Sequence, residues 1–330
     1  MLFVISGAVD GRFVISGREA EMTVIAMTRE MGSLGTDVAA GIARELGLTV
    51  IQSEFVANQV AGRLGVEEDA VLRYIDGAAS LIERWLIDRR KLLSYTFEEI
   101  LRLAQRGNVL IRGWGAATLL RDLPQVISVR VCASMDFRVR VMMERLGATD
   151  AEAVRAEIER CDAAHGRAMR ASFNVEQEDA RLYHLVLNTD RLPVDACVGM
   201  VCELARHPRF RDHRKTRWAL ADKLLEAKVS SALGDEIVPG MAPAGVTVSA
   251  ADGRITLAGT SSSGRLRATA ERVAAAVAGV RAIDNRIVSV PTRGSAFSPY
   301  RSPAGAHPER RAVAPAPPSR ATGSSRLRLV

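Results

Sequence analysis

Hydrophobic and polar residues follow two rhythms along the first two thirds of the chain. Short apolar and β-branched runs predict buried strands, and longer stretches with apolar residues every three or four positions predict helices. Strands and helices alternate, and this order is typical of an α/β domain built on a parallel sheet. The predicted strands are residues 23–28, 48–51, 109–111, 126–132 and 185–187.

A glycine-containing turn follows the first strand and leads into a helix. Thr36 or Asp37 is the predicted N-cap of that helix, and Gly47 is its C-terminal stop. Residues 54–106 hold no proline and keep helical spacing throughout, so they predict a helical insertion between two strands. Further helices are predicted over residues 135–146, 150–172 and 193–205, the last with Pro193 at its first position.

The pattern changes after residue 217 and predicts a small α+β domain with the element order αββαβ. Asp252-Gly253 is the predicted turn of its hairpin. From residue 291 onward Pro, Gly, Ser, Ala and Arg dominate, and seven of the twelve prolines lie there, which predicts disorder. The predicted elements are a helix at 218–233, strands at 246–249 and 254–258, a helix at 265–277 and a strand at 283–290.

The positive charge of the chain is confined to two segments. The net charge is +7, but residues 206–217 carry six basic residues against one acid, and residues 291–330 carry seven arginines against one acid. The rest of the chain is therefore net negative, which indicates a solvated basic linker and a basic tail. Contact of the linker with RNA, an anionic membrane or an acidic partner is the alternative, although no specific nucleic-acid motif is present.

Two further features of the composition concern the compartment. No stretch approaches the ~18 consecutive apolar residues of a membrane-spanning helix. The four cysteines form no metal-type pair and no dense framework, so we expect reduced thiols and a cytoplasmic location.

The pentapeptide FVISG occurs at residues 3–7 and again at 13–17. Residues 1–21 lack the pattern of a secretory signal, and we expect them to be an extra segment outside the fold, upstream of the natural start. An edge hairpin around Asp10-Gly11 is the alternative. The predicted division of the chain is this segment, a P-loop domain at 22–207, a basic linker at 208–217, a small domain at 218–291 and a disordered basic tail at 292–330.

The turn after the first strand has the residues of a phosphate-binding loop. Small residues let backbone N–H groups at a helix N-terminus approach phosphate oxygens closely, and Gly32, Ser33, Gly35 and Thr36 supply them. The loop has no lysine, and Arg29 at the strand end is the nearby cation. Taken alone, the motif also fits a tight strand-to-helix turn without a ligand.

Four blocks of sequence resemble the cytidylate kinase-like family, a branch of the P-loop nucleoside monophosphate kinases. They are TVIAMTREMGSLGTDVAAGIARELGLTVIQSEFV (23–56), VLIRGWGAATLLRD (109–122), ISVRVCASMDFRVRVMMERLG (127–147) and YHLVLNTDRLPVDACV (183–198). The resemblance implies a P-loop kinase-like parallel sheet with a helical insertion and a lid. It also implies ATP-dependent phosphoryl transfer to a nucleoside monophosphate, with a CMP- or dCMP-like acceptor and with ATP and Mg²⁺ as cofactors.

The resemblance further implies roles for individual residues. Leu34, Gln52 and His165 stand where the family usually has Gly, Asp and Arg. For the lid, the alternative is a solvated, arginine-rich surface helix. For the acceptor turn, the alternative is that Trp114 is a core residue and Arg112 a surface charge. The implied catalytic residues are Arg29, Arg160, Asp162, Arg167 and Arg170, the nucleotide-binding residues are Gly32, Ser33, Gly35, Thr36 and Asp37 with Thr36 as Mg²⁺ ligand, and the acceptor-binding residues are Arg112, Gly113 and Trp114.

The small domain resembles the BON domain. The resemblance rests on Asp252-Gly253, Gly259, the alanine-rich helix and Gly279-Val280 before the last strand. BON domains are associated with phospholipid or ligand binding, which implies an anionic lipid or protein partner for this module and the basic linker. The alternative function is therefore a catalytically inactive nucleotide sensor that signals through the BON-like domain.

Overall fold

The computed structural model describes residues 22–75, 78–113, 115–210, 214–236, 246–261 and 264–289. Its larger sheet has five parallel strands in the order β2-β3-β1-β4-β5, with β1 at the centre. All five strands lie where the apolar runs predict them. They are β1 (Val24–Arg29), β2 (Thr49–Ile51), β3 (Val109–Arg112), β4 (Val126–Cys132) and β5 (Leu185–Asn188).

Helices cover both faces of this sheet, as a buried parallel sheet requires. On one face α1 (Gly35–Leu46) and α9 (Val194–Arg206) enclose a core with the side chains of β1 and β4. The predicted insertion lies on the other face and forms a second core with β1 and β3. Its helices are α2 (Ser53–Leu64), α3 (Glu68–Ile75), α4 (Leu81–Leu86) and α5 (Arg89–Arg106), and α6 (Ala116–Leu119), α7 (Met135–Leu146) and α8 (Ala151–Phe173) follow.

Two predicted helix starts are wrong by one to three residues. The N-cap of α1 is Leu34, in the left-handed region at φ 53°, and its carbonyl accepts hydrogen bonds from the amides of Asp37 and Val38. Neither Thr36 nor Asp37 is the cap, because the turn ends earlier than side-chain capping preferences suggest. Pro193 is the N-cap of α9 rather than its first residue. The Gly47 stop is confirmed, with φ at 66°.

The second sheet has three strands in the order β6-β7-β8, with β6 antiparallel and β8 parallel to β7. Asp252 and Gly253 both have positive φ, as a tight hairpin turn needs. The carboxylate of Asp222 accepts hydrogen bonds from both of their amides. The elements are α10 (Arg214–Glu236), β6 (Thr247–Ala251), β7 (Arg254–Ser261), α11 (Gly264–Ala275) and β8 (Ala282–Ser289), which confirms the αββαβ order.

Helix α10 is shared between two hydrophobic cores. Leu220 and Leu224 are buried in the core of the insertion. Leu225 and Val229 are buried under the three-stranded sheet. Polar contacts with α5 accompany this packing, since the hydroxyls of Ser94 and Ser231 lie 2.9 Å apart and Tyr95 donates a hydrogen bond to Asp235. The small domain is thus packed directly on the helical insertion.

Several predictions fall on segments at the borders of these elements. Residues 1–21 and 292–330 lie outside the described residues, as does the part of the basic linker at 211–213. The remainder of the predicted linker is structured, since Phe210 ends a short 3₁₀ turn and is buried beside α9. The cysteines at 132, 161, 197 and 202 are free thiols. None of the helices in the described ranges is long and apolar enough to cross a membrane.

Candidate functional site

The candidate site lies at the carboxyl edge of the five-stranded sheet. Arg29 ends β1, and Arg112 ends β3, the strand paired with β1. The loop from Glu30 to Leu34 connects β1 to α1 at this edge. Ligands of open α/β sheets bind outside the carboxyl ends of the strands, so the fold brings two cations and a helix N-terminus to the expected position.

The loop is held in place by its own polar groups. The side chain of Ser33 is fully buried, and its hydroxyl donates a 2.8 Å hydrogen bond to the carbonyl of Glu30. Thr189, after β5, donates a 2.7 Å hydrogen bond to the carbonyl of Ser33. The hydroxyl of Ser33 therefore fixes the loop. Its amide donates a 3.3 Å hydrogen bond to the carbonyl of Glu30, so a ligand would have to share that amide.

Gly32 meets two requirements of the loop at once. Its φ is 78°, and a Cβ atom added there would lie 2.7 Å from the carbonyl oxygen of Arg138 on α7. Only glycine fits this conformation and this distance. The packing of the loop on α7 therefore requires a glycine at this position.

The N-terminus of α1 offers unpaired backbone donors. The amides of Gly35 and Thr36 lie in the first turn, where no carbonyl four residues earlier in the helix is available. Leu34 in the left-handed region directly precedes these right-handed residues, an arrangement in which successive N–H groups converge on an anion. The helix dipole adds partial positive charge at the same end.

The cations at this edge are in excess over the acids. Partial desolvation lowers the pKa of Arg29, and the positive charges of Arg112 and Arg145 lower it further, against a smaller opposing effect of the Glu54 carboxylate. Arg112 donates to the neutral oxygens Oγ1 of Thr36 at 3.2 Å and Oε1 of Gln52 at 3.1 Å. Within the described part of the chain, neither Arg29 nor Arg112 forms an ion pair. The two guanidinium groups are therefore available to an anionic ligand.

Asp37 and Thr36 are engaged in other contacts. The carboxylate of Asp37 forms an ion pair with Arg145 of α7, so it neutralises one cation of the cluster. The hydroxyl of Thr36 accepts from Arg112, which places positive charge where a Mg²⁺ ligand is predicted. The described residues contain no group of three or more His, Cys, Asp or Glu side chains able to hold a metal ion. The charge at this point favours an anion.

The predicted lid residues lie together on α8. Among the described residues, none of the three predicted lid arginines contacts the loop. Arg160 forms an ion pair with Glu157 on the same helix, and Arg170 forms one with Glu176. Arg167 is exposed. These arginines share one helix, as their spacing predicts, and the structure does not bring them to Arg29.

The predicted acceptor turn contacts the end of α8. The amide of Gly113 donates a 3.0 Å hydrogen bond to the carbonyl of Met27, which ties the turn to β1. A Cβ atom added to Gly115 would lie 2.6 Å from the ring of Phe173. Trp114 lies outside the described residues. Helix α8 thus reaches across the carboxyl edge to the turn that follows β3.

Sequence reasoning missed a buried charge network beneath the loop. Glu30 lies 2.6 Å from Arg130 and 3.7 Å from Arg138, and both arginines are about 5% exposed or less. Arg138 also bonds Asp162, which the family resemblance places among the catalytic residues. A signal was available in the run VISVRVC, because an arginine inside an otherwise apolar central strand requires a buried partner.

A narrow apolar cavity lies between α5 and α8. It has a volume of about 30 Å³ and is lined by Leu92, Thr96, Met169 and Phe173, among others. Pockets that bind small molecules have volumes of roughly 300–1,000 Å³. The cavity is therefore a packing gap and not the ligand site.

Comparisons with known proteins agree with this architecture. The cytidylate kinase-like family matches residues 24–191, and the BON domain matches residues 221–291. A cytidylate kinase of Pyrobaculum aerophilum is 27% identical over 177 residues, which cover 54% of this chain and 89% of that protein. A cytidylate kinase of Methanocaldococcus jannaschii is 23% identical over 172 residues, which cover 52% of this chain and 90% of that protein.

Solved structures include one of an uncharacterized protein from Eubacterium ventriosum. It is 20% identical, with a TM-score of 0.45, and the match covers 56% of this chain and 97% of that one. The family match spans just over half of the chain and includes every strand of the five-stranded sheet. The chain therefore belongs to the cytidylate kinase-like family.

Proposed function

We propose that this chain transfers the γ-phosphoryl group of ATP to a nucleoside monophosphate with a CMP- or dCMP-like base. The observation that carries the proposal is the pair Arg29 and Arg112, which lies beside the first turn of α1 without a carboxylate partner among the described residues. The similarity to cytidylate kinases supports phosphoryl transfer, and the names of those relatives support the choice of base.

Phosphoryl transfer depends on positioning and charge neutralisation more than on covalent chemistry. The amides of Gly35 and Thr36, together with the backbone of Gly32 and Ser33, would bind phosphate oxygens of the donor. Arg29 stands at the strand end beside them and would take the role of the missing lysine. Its planar guanidinium binds two oxygens at once, whereas an ammonium group acts as a point charge.

Arg112 would bind the phosphate of the acceptor. It ends the strand next to β1, and its present partners are neutral, so an anion can displace them without breaking an ion pair. Gly113 and Trp114 follow it and would contact the nucleoside. Donor and acceptor phosphates would then lie on neighbouring strand ends, as an in-line transfer requires.

Bound together with the donor, Mg²⁺ would supply positive charge that neutralises the phosphate oxygens. The protein oxygen that would hold it is Oγ1 of Thr36, once the hydrogen bond from Arg112 has moved to the acceptor phosphate. Mg²⁺ keeps several waters and needs only one or two protein ligands beside the phosphates. The scarcity of acidic side chains at this edge therefore fits the proposal.

The lid arginines Arg160, Arg167 and Arg170 would complete the charge neutralisation. Arg160 is paired with Glu157 on α8, and Arg170 is paired with Glu176, which follows the end of α8. Exposed ion pairs of this kind stabilise proteins by about 0–1 kcal/mol, so a phosphate can compete for both arginines. Movement of α8 toward the loop would then assemble the catalytic residues.

The test is ADP release by the full chain with Mg-ATP and each common nucleoside monophosphate. We expect turnover with CMP or dCMP and a loss of about 100-fold or more in Arg29→Met and Arg112→Met, because each removes a charge-assisted contact to phosphate. Arg181→Met is the matched control. It also removes an exposed arginine, but one that precedes β5 at the amino edge of the sheet.

The second candidate function is the nucleotide sensor, and the packing of α10 on α5 favours it. This contact joins the insertion to the BON domain, through which a lipid or protein partner would be reached. ATP that raises the melting temperature without ADP release would support the sensor and refute the kinase. If ATP produced no thermal shift and no nucleoside monophosphate gave turnover, both candidate functions would be refuted.

A further inference from the structure

Arg138 is a buried cation that joins three parts of the candidate site. Its side chain is 5% exposed, although it lies in the first turn of α7. The Nε atom donates a 2.7 Å hydrogen bond to the carbonyl of Met31 in the loop. The terminal nitrogens lie 2.8 Å from Asp162 on α8 and 3.7 Å from Glu30.

The loop is in direct contact with the backbone of this residue as well. The Cα and carbonyl oxygen of Arg138 both lie within about 3 Å of the position that a Cβ of Gly32 would take. Side chain and backbone of one residue therefore set the path of Met31 and Gly32. A displacement of Arg138 changes the loop directly.

Among the described residues, the ion pair of Arg138 with α8 is made by Asp162, beside an apolar cluster in which Val154 and Ile158 of α8 pack on α7 and on Met31 of the loop. Asp162 lies in the same stretch of α8 as Arg160 and Arg167, and its side chain is 39% exposed. Asp162 forms no contact with these arginines among the described residues. The carboxylate therefore links the helix that bears them to the loop by way of Arg138.

We propose that Arg138 is a positioning residue that couples the conformation of the loop 30–34 to the position of α8. A guanidinium group suits this task because its planar fork reaches a carbonyl on one side and a carboxylate on the other. A lysine at this position can satisfy only one of the two at good geometry. The consequence for catalysis rests on the proposed function, whereas the mechanical coupling does not.

The experiment compares Asp162→Asn, Arg138→Lys and the double variant in the full chain. Amide hydrogen exchange is measured over the loop and first turn of α1 (residues 30–36) and over α8. ADP release is measured beside it. Arg155→Met is the matched control, because the 2.5 Å ion pair of Arg155 with Asp136 also joins α8 to α7 but does not touch the loop.

We expect Asp162→Asn to speed exchange at residues 30–36 about tenfold, although the substitution is on α8, and the control to leave the loop unchanged. We also expect kcat to fall more than KM for ATP rises, since the loop keeps its amides while α8 loses its polar link to Arg138. The double variant should be no worse than Arg138→Lys, because both changes break one chain of contacts.

Three results would overturn the proposal. They are an unchanged loop in Asp162→Asn, an equal change in the control, and full additivity in the double variant. A wild-type chain without turnover would refute the proposed function, and the exchange data would still decide the coupling. Asp162→Asn also guards against misfolding, since its half-exposed side chain is replaced by an isosteric amide, whereas Arg138 is buried.

Discussion

Leu224 and Leu225 are neighbours on α10 whose side chains enter different cores. Leu224 is 3% exposed and packs in the core of the insertion, and Leu225 is 8% exposed and packs under the three-stranded sheet. If α10 joins the two parts into one cooperative unit, Leu224→Ala and Leu225→Ala must lower the same unfolding transition. Independent domains would instead show two transitions, each sensitive to one variant.

The size of the effect follows from burial. A buried leucine shortened to alanine costs about 2–5 kcal/mol, which includes the transfer of its methyl groups and the cavity left behind. For a cooperative unit of this size, each kcal/mol lowers the melting temperature by roughly 2–4 °C. We therefore expect both variants to melt about 5–15 °C below wild type, in a single transition.

Calorimetry of the full chain measures this directly, and urea unfolding followed by the exposed Trp218 on α10 gives an independent midpoint. The exposed Val288→Ala on β8 is the control and should leave the melting temperature within about 2 °C of wild type. Two resolved transitions, with Leu224→Ala moving one and Leu225→Ala the other, would refute the shared role of α10. A Leu224→Ala variant as stable as the control would refute its packing against α5.

Three further predictions concern the loop and α5. Gly32→Ala should cost more stability than Gly47→Ala in thermal melts and should abolish the ATP-induced shift, because both have positive φ but only the first meets a neighbouring backbone atom; equal losses would contradict this. Burial and the hydrogen bond to Asp235 raise the pKa of Tyr95 to about 12. The stability that this hydrogen bond adds to the folded state is therefore fully present below the unfolded pKa near 10 and is lost as the pH rises through about 12. Tyr95→Phe should flatten the stability profile between these values. Because burial also raises the pKa of Tyr183, titration of the phenol absorbance should show one late group fewer in Tyr95→Phe than in wild type. Thr96→Val should be neutral or stabilise the chain by about 1 kcal/mol in urea unfolding, because the buried hydroxyl has no hydrogen-bond partner among the described residues; a clear destabilisation would reveal a partner for that hydroxyl.

The strands and most helices could be predicted because their signals are local. The apolar run at 126–132 matches β4 residue for residue, and the periodic pattern at 135–146 matches α7. The N-cap at Leu34 could not be predicted in this way. It depends on a left-handed backbone that the packing of the loop imposes, not on a capping side chain.

The sequence predicts which kinds of residue form the candidate site, but not which of their side chains contact one another. A glycine-containing turn between a strand and a helix indicates a phosphate-binding loop from its own residues, however far along the chain the residues that contact it lie. The partner of Asp162 could not be predicted in this way. The three lid arginines lie near it in the sequence, whereas its actual partner, Arg138, is 24 residues away. Helix α8 turns that carboxylate toward α7, and only the packing of the two helices decides the pair.

The sequence by itself determined the alternation of strands and helices, the αββαβ order of the second module and the small residues of the loop. Periodicity and backbone freedom are properties of neighbouring residues, so they can be interpreted without a fold. Tertiary structure alone decided that, among the described residues, Arg29 and Arg112 form no ion pair while Arg145 forms one, and that α10 serves two cores. Charge pairing and burial depend on which distant segments meet, and that is set by the whole chain.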